Sequence, residues 1–232
     1  VWHHGRRSES DRAPANAIMG STLGLLAFVL AFTFGMSSSR FDNRRQLVLE
    51  EASAILQTYQ RAQFLPEELR SESTRLLQEY TALRVRIPEI KSVEEIAAAV
   101  SRSEAIQDAL WQEARTMMDR PDAMLSAYLR SLASLTDLQM KRVRAAVWNR
   151  IPSTIVVVLY SIAFLGLLTL GYGAGLATNR TTLPSMMIVL AFSAVIMIIV
   201  DLERPRQTLF EVSQEPMQNV ARRIDAPLVP GR

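Results

Sequence analysis

The chain has 232 residues, a formal net charge of +3 and no cysteine. It therefore has neither a disulfide framework nor a thiol nucleophile, and its redox compartment stays open. A mean hydropathy of +0.09 is typical of a soluble protein, but this average hides two populations. Uncharged stretches flank residues 37–150, which carry 17 Lys and Arg against 16 Asp and Glu. That balance excludes a basic nucleic-acid surface, and we expect no nucleic-acid partner.

Residues 1–16, VWHHGRRSESDRAPAN, are polar, and we expect a flexible N-terminal segment. The chain starts with Val1, so we expect that an upstream part is missing or that a non-standard start codon was translated literally. Arg6 and Arg7 precede an apolar run, as they would in a signal peptide. That run exceeds the usual apolar region of about 7–15 residues, and no A-x-A-like cleavage site follows it. We therefore expect a retained helix.

Residues 17–36, AIMGSTLGLLAFVLAFTFGM, contain no charge. A helix of this length is about 30 Å long, the thickness of a bilayer's hydrocarbon core, so the stretch predicts a transmembrane helix. Small residues recur along it at helical spacing, and such stripes mark close helix packing. Two interpretations stay open: packing inside one subunit, or a face that builds an oligomer or lines a pore. The candidate pore or helix-packing residues are Gly20, Gly24, Ala27, Phe28, Ala31 and Phe32.

The next segment, 37–150, has the pattern of a helical bundle. Apolar residues at helical spacing predict that the first helix continues to about Ala62. Its apolar face is expected to contain Val48, Ala52, Ile55 and Tyr59. Glu50 and Glu51 are expected to lie mostly outside that face, as solvated charges.

Prolines separate three further amphipathic helices in this segment. Pro66 opens the second helix, which runs to about Arg84, and Ser92-Val-Glu-Glu95 is a capping box that opens the third. The fourth helix follows Pro121. Its inward leucines are Leu125, Leu129, Leu132, Leu135 and Leu138. Four amphipathic helices without any strand pattern predict a bundle.

The C-terminal part predicts a membrane hairpin in residues 151–200 and a charged tail in residues 201–232. The two apolar helices span about 153–176 and 184–200, and the turn 177–183 joins them. The predicted fold class is an all-α integral membrane protein. It has three visible transmembrane helices, with a helical bundle inserted between the first and the second.

Lysines and arginines near the membrane ends predict the orientation. If the bundle is cytoplasmic, the cytoplasmic side holds nine of them, namely Arg40, Arg44, Arg45, Lys141, Arg142, Arg144, Arg150, Arg204 and Arg206. The opposite side then holds four, namely Arg6, Arg7, Arg12 and Arg180. We therefore expect a multi-pass protein of the inner (plasma) membrane whose bundle and tail face the cytoplasm.

The first and third spans are then expected to end at the same interface, which predicts a juxtamembrane charge cluster. Its members are Arg40, Asp42, Arg44, Arg45, Asp201, Glu203, Arg204 and Arg206. Charges at the edge of a low-dielectric region need partners, and arginine offers a carboxylate two parallel hydrogen bonds. We predict that Asp201 pairs with an arginine of the first helix. Snorkelling to lipid headgroups is the alternative, since it requires no pairing.

The sequence offers little for catalysis. His3 and His4 lie in the polar N-terminus and have the features of a surface pair. The run Gly171-Tyr-Gly173-Ala-Gly175 follows a membrane helix rather than a strand, so the dinucleotide-binding interpretation fails. We expect no enzyme activity, no metal and no cofactor.

Two blocks resemble the bestrophin-like domain family of prokaryotic membrane proteins. They are GLLAFVLAFTFGMSSSRFDNRRQLVLEEASAILQTYQRAQFLP and VDLERPRQTLFEVSQEP. The resemblance covers most of residues 17–220 and implies a distant kinship with bestrophins, which are pentameric anion channels with four membrane helices and a helical cytoplasmic part. The spans of this chain would be similar to the second, third and fourth of those helices. The additional N-terminal helix that members usually have is missing, consistent with a truncated or misassigned start. Nothing resembles the bestrophin calcium clasp, so calcium gating is not implied.

Two hypotheses from different classes remain. The first is a channel-like homo-oligomer that passes small ions, with anions favoured, and whose first span lines the path. The second is a non-conducting, membrane-anchored helical scaffold or sensor. A receptor sensor would have an external bundle followed by a signalling domain, and the third span and short tail do not fit that plan. The expected partners are the lipid bilayer, further copies of the chain and small anions.

Overall fold

A computed structural model describes residues 9–90, 92–116, 123–147, 153–176, 182–203 and 212–225 of the chain. These residues form seven α-helices and one short 3-10 turn, and none of them lies in a strand. The all-α fold class is thus confirmed. The elements are α1 (Glu9–Ala62), α2 (Glu67–Arg86), the turn Ile87–Glu89, α3 (Val93–Arg115), α4 (Ala123–Val147), α5 (Ser153–Leu176), α6 (Thr182–Glu203) and α7 (Glu215–Asp225).

Three helices, α1, α5 and α6, are long and apolar enough to cross a membrane. The helix α5 has the predicted bounds, whereas α6 extends beyond the predicted 184–200 at both ends. The extension places Asp201 and Glu203 in the last turn of α6. Carboxylates at a helix C-terminus oppose the helix dipole, so this end needs a nearby cation.

The helix α1 is a single 54-residue helix that belongs to both the membrane-spanning and the bundle regions. It begins at Glu9, inside the segment that was predicted to be flexible, because Glu9 and Asp11 place negative charge where the helix dipole favours it. The helix ends at Ala62, shortly before Pro66, as predicted. The prediction that the first span continues as a helix into the bundle is therefore confirmed.

The chain forms two compact units, each made of two separate stretches. The membrane unit comprises Val1–Phe41 and Arg150–Phe210, and the bundle unit comprises Asp42–Asn149 and Glu211–Arg232. In the membrane unit, α1, α5 and α6 share one apolar core. Its fully buried side chains are Leu26, Leu30, Leu159 and Ile199.

In the bundle unit, α2 packs against α3 and α7, and α3 packs against α4. Four of the five predicted inward leucines of α4 are buried, and Leu129 is partly buried against the same core. The short helix α7 adds Met217, Val220 and Ile224 to this core. In addition, Gln78 Nε2 donates to the carbonyl oxygen of Ile224 at 3.2 Å. Residues near the C-terminus thus complete the interior of the bundle.

The local signals that separate the bundle helices are also confirmed. The helix α2 begins directly after Pro66, and it ends at Arg86, two residues later than predicted. Ser92 caps α3, since its Oγ accepts a hydrogen bond from the Glu95 backbone N–H at 3.4 Å. The predicted break around Pro121 lies outside the described residues.

Candidate functional site

In the membrane unit, α1 has one buried and one exposed face. The buried face contains Leu26, Leu30, Thr33 and Ser37. All six candidate pore or helix-packing residues lie on the exposed face of the single chain. The two aromatic rings protrude most, since Phe28 is 69% exposed and Phe32 is 59% exposed. This face is therefore open to lipid or to another subunit.

The glycines of α1 and α5 differ in their surroundings within the membrane unit. A Cβ placed on Gly20 or Gly24 would have nothing else of the described chain within 4 Å. By contrast, a Cβ on Gly166 of α5 would lie 3.2 Å from Leu26 Cδ2, and one on Gly173 would lie 2.9 Å from Met19 Sδ. The glycines that permit close packing inside the subunit thus belong to α5. A Cβ on Gly20 or Gly24 of α1 has no such neighbour, and the role of the small-residue stripe stays a prediction.

A charge pair joins α1 and α6 in the membrane unit. Arg40 Nη1 lies 3.7 Å from Glu203 Oε2, and the two side chains are only 16% and 18% exposed. The arginine supplies the cation that the acidic C-terminus of α6 requires. The charge cluster thus contains a pair between an arginine of α1 and a carboxylate of α6, here Glu203, and the predicted pairing of Asp201 stays a prediction.

The other predicted members of the charge cluster are distributed between the two units and the residues outside the described ranges. Asp42, Arg44 and Arg45 belong to the bundle unit. Arg204 and Arg206 lie outside the described residues. The common depth that the sequence suggested for all eight residues therefore stays a prediction.

The bundle unit encloses a charge that the sequence analysis placed on the surface. The side chain of Glu51 in α1 is fully buried. Arg84 of α2 donates from Nη2 to Oε2 at 3.2 Å, and its Nε lies 3.0 Å from Oε1 in the same ion pair. Arg142 of α4 binds Oε2 through Nη1, and the Tyr80 hydroxyl donates to Oε1 at 2.6 Å. One carboxylate thus contacts side chains of two other helices.

Two amides extend this polar interior to α3. Gln107 Nε2 donates to the Tyr80 hydroxyl oxygen at 3.4 Å, and Gln139 Oε1 lies 3.1 Å from the same oxygen. The Arg84 guanidinium carbon lies 6.0 Å from the centroid of the Tyr80 ring. The set Glu51, Tyr80, Arg84, Gln107, Gln139 and Arg142 is called the Glu51 clasp below. It joins α1, α2, α3 and α4 through polar contacts alone.

The electrostatics of the clasp keep Tyr80 a hydrogen-bond donor. Burial raises the pKa of the Tyr80 phenol well above its usual value, and the adjacent charge of Glu51 raises it further. Deprotonation of the phenol would put a second negative charge beside the carboxylate in a low-dielectric interior. Tyr80 therefore donates to Glu51 over the whole physiological pH range.

The prediction that Glu51 is a solvated charge is wrong, and the spacing of the helix explains why. Glu51 follows Val48 by three residues and precedes Ile55 by four, so it lies on the apolar face. Arg84 and Arg142 are distant in sequence, and only the fold brings them to Glu51. Arg142 was also one of the nine cations from which the membrane orientation was predicted. Its Nη1 binds the Glu51 carboxylate inside the bundle.

Among the described residues, no three His, Asp or Glu side chains come together in a way that could hold a metal ion. His3 and His4 lie outside the described residues. The clasp itself contains more guanidinium than carboxylate groups, which does not suit a cation.

Three membrane-length helices with a helical bundle inserted after the first define a class of integral membrane protein. The family model of the Bestrophin-like domain matches residues 2–217. The chain therefore belongs to the bestrophin-like family. A comparison with curated protein sequences finds no match.

Solved structures share the fold. A single-substitution variant of a bacterial bestrophin homologue from Klebsiella pneumoniae superposes with a TM-score of 0.74 at 15% identity, covering 90% of this chain and 85% of that chain. The structure of the Klebsiella homologue that was phased with zinc gives a TM-score of 0.72 at 16% identity, with the same coverage. At this identity the likeness establishes the fold of the chain.

Proposed function

We propose that this protein is a symmetric homo-oligomeric channel that passes small ions across the inner membrane, with anions favoured. In this arrangement the exposed face of α1 lines the axis, and the bundle unit lies in the cytoplasm. Membership of the bestrophin-like family supports a channel. The single observation that carries the proposal is the exposed face of α1, on which small residues and two phenylalanines lie unpacked within the subunit.

The chemistry of this face suits a hydrophobic gate between subunits. Gly20, Gly24, Ala27 and Ala31 would let neighbouring α1 helices approach closely. Phe28 and Phe32, one helical turn apart, would then form a constriction that closes by dewetting. A path between subunits also agrees with the sequence of the spans, because their apolar stretches carry no charge that would mark a path within one subunit.

The pair of Arg40 and Glu203 affects the expected preference for anions. Arginines at the inner mouth would enrich anions there. Glu203 lies 3.7 Å from Arg40 and offsets its charge. Anion preference in the wild type would therefore be modest.

The test is ion flux from liposomes that contain the purified protein. Replacing Phe28 and Phe32 together by alanine is expected to raise the flux severalfold, since it removes the constriction. Phe164 of α5 is 62% exposed in the membrane unit, and Phe164→Ala is the matched control, which should leave the flux unchanged. Mass photometry in detergent and in nanodiscs gives the number of subunits.

The alternative is a non-conducting helical scaffold or sensor anchored in the membrane. It keeps the same helices but packs Phe28 and Phe32 against lipid. A monomer in both environments, together with no flux in the wild type or the double variant, would exclude the channel and leave the scaffold.

A further inference from the structure

We propose that a polar groove of the bundle unit, between residues 46–61 of α1 and residues 130–141 of α4, binds the phosphate group of a small phosphate monoester. The groove contains an open cavity of about 460 Å³, within the range of about 300–1,000 Å³ that is usual for small-molecule sites. All residues that line it belong to the bundle unit. Binding in this groove is separate from ion passage, so the proposal does not rest on the proposed function.

Helical spacing explains why polar side chains border this groove. The polar residues that α1 contributes recur every three or four residues up to Arg61, and those of α4 recur at the same spacing from Arg130 to Lys141. Residues at this spacing share one face of a helix, so each helix presents a polar row to the groove. The buried leucines of α4 leave this row free to line the cavity.

Two arginines lie at one end of the groove. Arg61 Nη1 donates to the carbonyl oxygen of Ala127 at 3.2 Å, and Ala127 precedes Arg130 by about one helical turn. This hydrogen bond holds the half-buried Arg61 side chain at the groove, whereas Arg130 is exposed. Within the described part of the chain, no carboxylate forms an ion pair with either arginine. This end of the groove therefore carries two positive charges without a counter-charge among the described residues.

The carboxylates of the groove lie at its opposite end. Asp137 Oδ2 lies 2.7 Å from Lys141 Nζ, so this carboxylate already has a cation. Along the axis of α4, Asp137 is about 10 Å from Arg130. Along the axis of α1, Glu50 is about 16 Å from Arg61. Both separations exceed the Debye length of about 8 Å at physiological ionic strength, so the carboxylates neutralise the two arginines only weakly.

The chemistry of this groove suits a phosphate monoester with a polar body. Such a group carries about −1.5 to −2 charges at pH 7, which matches two guanidinium groups. Each guanidinium also offers parallel N–H donors whose geometry fits phosphate oxygens. Ser53, Gln57 and Ser134 are exposed between the two ends of the groove. Their hydroxyl and amide groups can form hydrogen bonds with the rest of the ligand.

The test is thermal unfolding of the purified full chain in detergent, titrated with glycerol 3-phosphate at constant ionic strength. A ligand that binds the folded state raises the unfolding midpoint as its concentration exceeds the Kd. Glycerol without phosphate is the control for the probe. The variants are Arg61→Gln and Arg130→Gln. Lys141→Gln is the matched control, since it removes one positive charge from the opposite end of the same groove.

We expect the midpoint of the wild type to rise with glycerol 3-phosphate and not with glycerol. Arg61→Gln and Arg130→Gln should each raise the apparent Kd by about tenfold, the usual effect of losing a hydrogen bond between charged groups. Lys141→Gln should keep the wild-type Kd. If Arg61→Gln does not fold, Arg130→Gln decides, because Arg130 is exposed. A wild-type Kd in Arg130→Gln, an equal loss in Lys141→Gln, or no rise in the wild type would each overturn the proposal.

Discussion

Tyr80 is the residue on which the polar interior of the bundle converges. Its single hydroxyl lies within hydrogen-bond distance of Glu51, Gln107 and Gln139, and the whole side chain is buried. Because the Tyr80 side chain is buried, its phenol is a natural partner for these polar atoms, which need hydrogen bonds inside the bundle. Its removal would leave polar groups of three other helices with fewer partners.

At this scale we predict that Tyr80→Phe lowers the free energy of unfolding of the bundle by about 1–3 kcal/mol, the usual effect of leaving buried polar groups without a partner. The measurement is chemical unfolding in detergent. Tyr128→Phe is the control with fewer contacts, because within the described part of the chain its hydroxyl donates only to Ser73 Oγ, at 3.0 Å. Equal losses in the two variants would contradict the central role of Tyr80.

The raised pKa of Tyr80 also predicts an alkaline dependence of stability. The pKa of an unfolded tyrosine is about 10. A tyrosine whose pKa is higher in the folded state contributes stability that is fully present below about pH 10. That contribution is lost as the pH rises through the folded pKa. Melting curves between about pH 9 and 11 should therefore show a falling midpoint above about pH 10.

The fall should be shallower in Tyr80→Phe. Some slope should remain in that variant, since burial also raises the pKa of Tyr128. Identical slopes in the wild type and the variant would show that Tyr80 does not contribute to the pH dependence.

Sequence reasoning could have found Glu51 but not its partners. The distances of three residues from Val48 and four to Ile55 put Glu51 on the apolar face, and that placement follows from helix geometry. Arginines are frequent in the bundle segment, and nothing in their spacing singles out Arg84 and Arg142. Their selection depends on how α2 and α4 pack, which is a tertiary property.

At the scale of the helices, Gly166 decides how closely α5 approaches α1. A Cβ there would lie 3.2 Å from Leu26 Cδ2, a distance that the end of a leucine side chain can relieve by a small shift. A larger side chain has no such room. We predict that Gly166→Leu destabilises the membrane unit by about 1–3 kcal/mol, as overpacking does.

The measurement for Gly166→Leu is thermal unfolding in detergent. Gly171→Leu is the control in the same helix, because a Cβ at Gly171 meets nothing within 4 Å of the described chain. A Gly166→Leu variant as stable as its control would show that the close approach is not structurally important.

The charge pair between α1 and α6 predicts opposite effects on ion selectivity. Glu203→Gln leaves the charge of Arg40 uncompensated and should raise the permeability ratio of chloride to sodium by about twofold or more. Arg40→Gln should lower that ratio. Reversal potentials in planar bilayers give the ratio, and Glu68→Gln, on the exposed surface of α2, is the control. Shifts in the same direction for both variants would contradict this electrostatic account.

The elements themselves were largely predictable. Pro66 and the Ser92 cap act on the nearest few residues, so the C-terminal end of α1 and the starts of α2 and α3 follow from local chemistry, whereas the start of α1 at Glu9 was not predicted. The extension of α6 to Glu203 was missed, since hydropathy stops at the first charge while the helix continues. The small residues of α1 recur at helical spacing, so the sequence predicted that they share one face of the helix. The sequence could not show that a Cβ at Gly20 or Gly24 meets nothing within 4 Å of the described chain, since this depends on how the helices pack.

At the scale of the whole molecule, the first expectation concerns topology. The excess of lysine and arginine predicts that the bundle is cytoplasmic and that the turn 177–183 is external. Single cysteines and a membrane-impermeant thiol reagent in intact cells test it. Ser103 is fully buried and would react poorly on either side, whereas the neighbouring Ser101 is exposed and is the better site.

Thr178→Cys should be labelled in intact cells, and Ser101→Cys should be labelled only after lysis. Labelling of position 101 in intact cells would reverse the assignment. The same pair of variants in lysed cells is the control for reactivity.

The helix α7 has a consequence for how the molecule is made. It packs on α2 and supplies three side chains to the bundle core, yet it follows both hairpin helices in the chain. A ribosome must therefore deliver α5 and α6 to the membrane insertion machinery before it has synthesised the last part of the bundle. Until then the apolar surface that receives Met217, Val220 and Ile224 is uncovered. During this interval the nascent chain should depend on chaperones, and ribosome stalling between α6 and α7 should leave it most open to proteolysis.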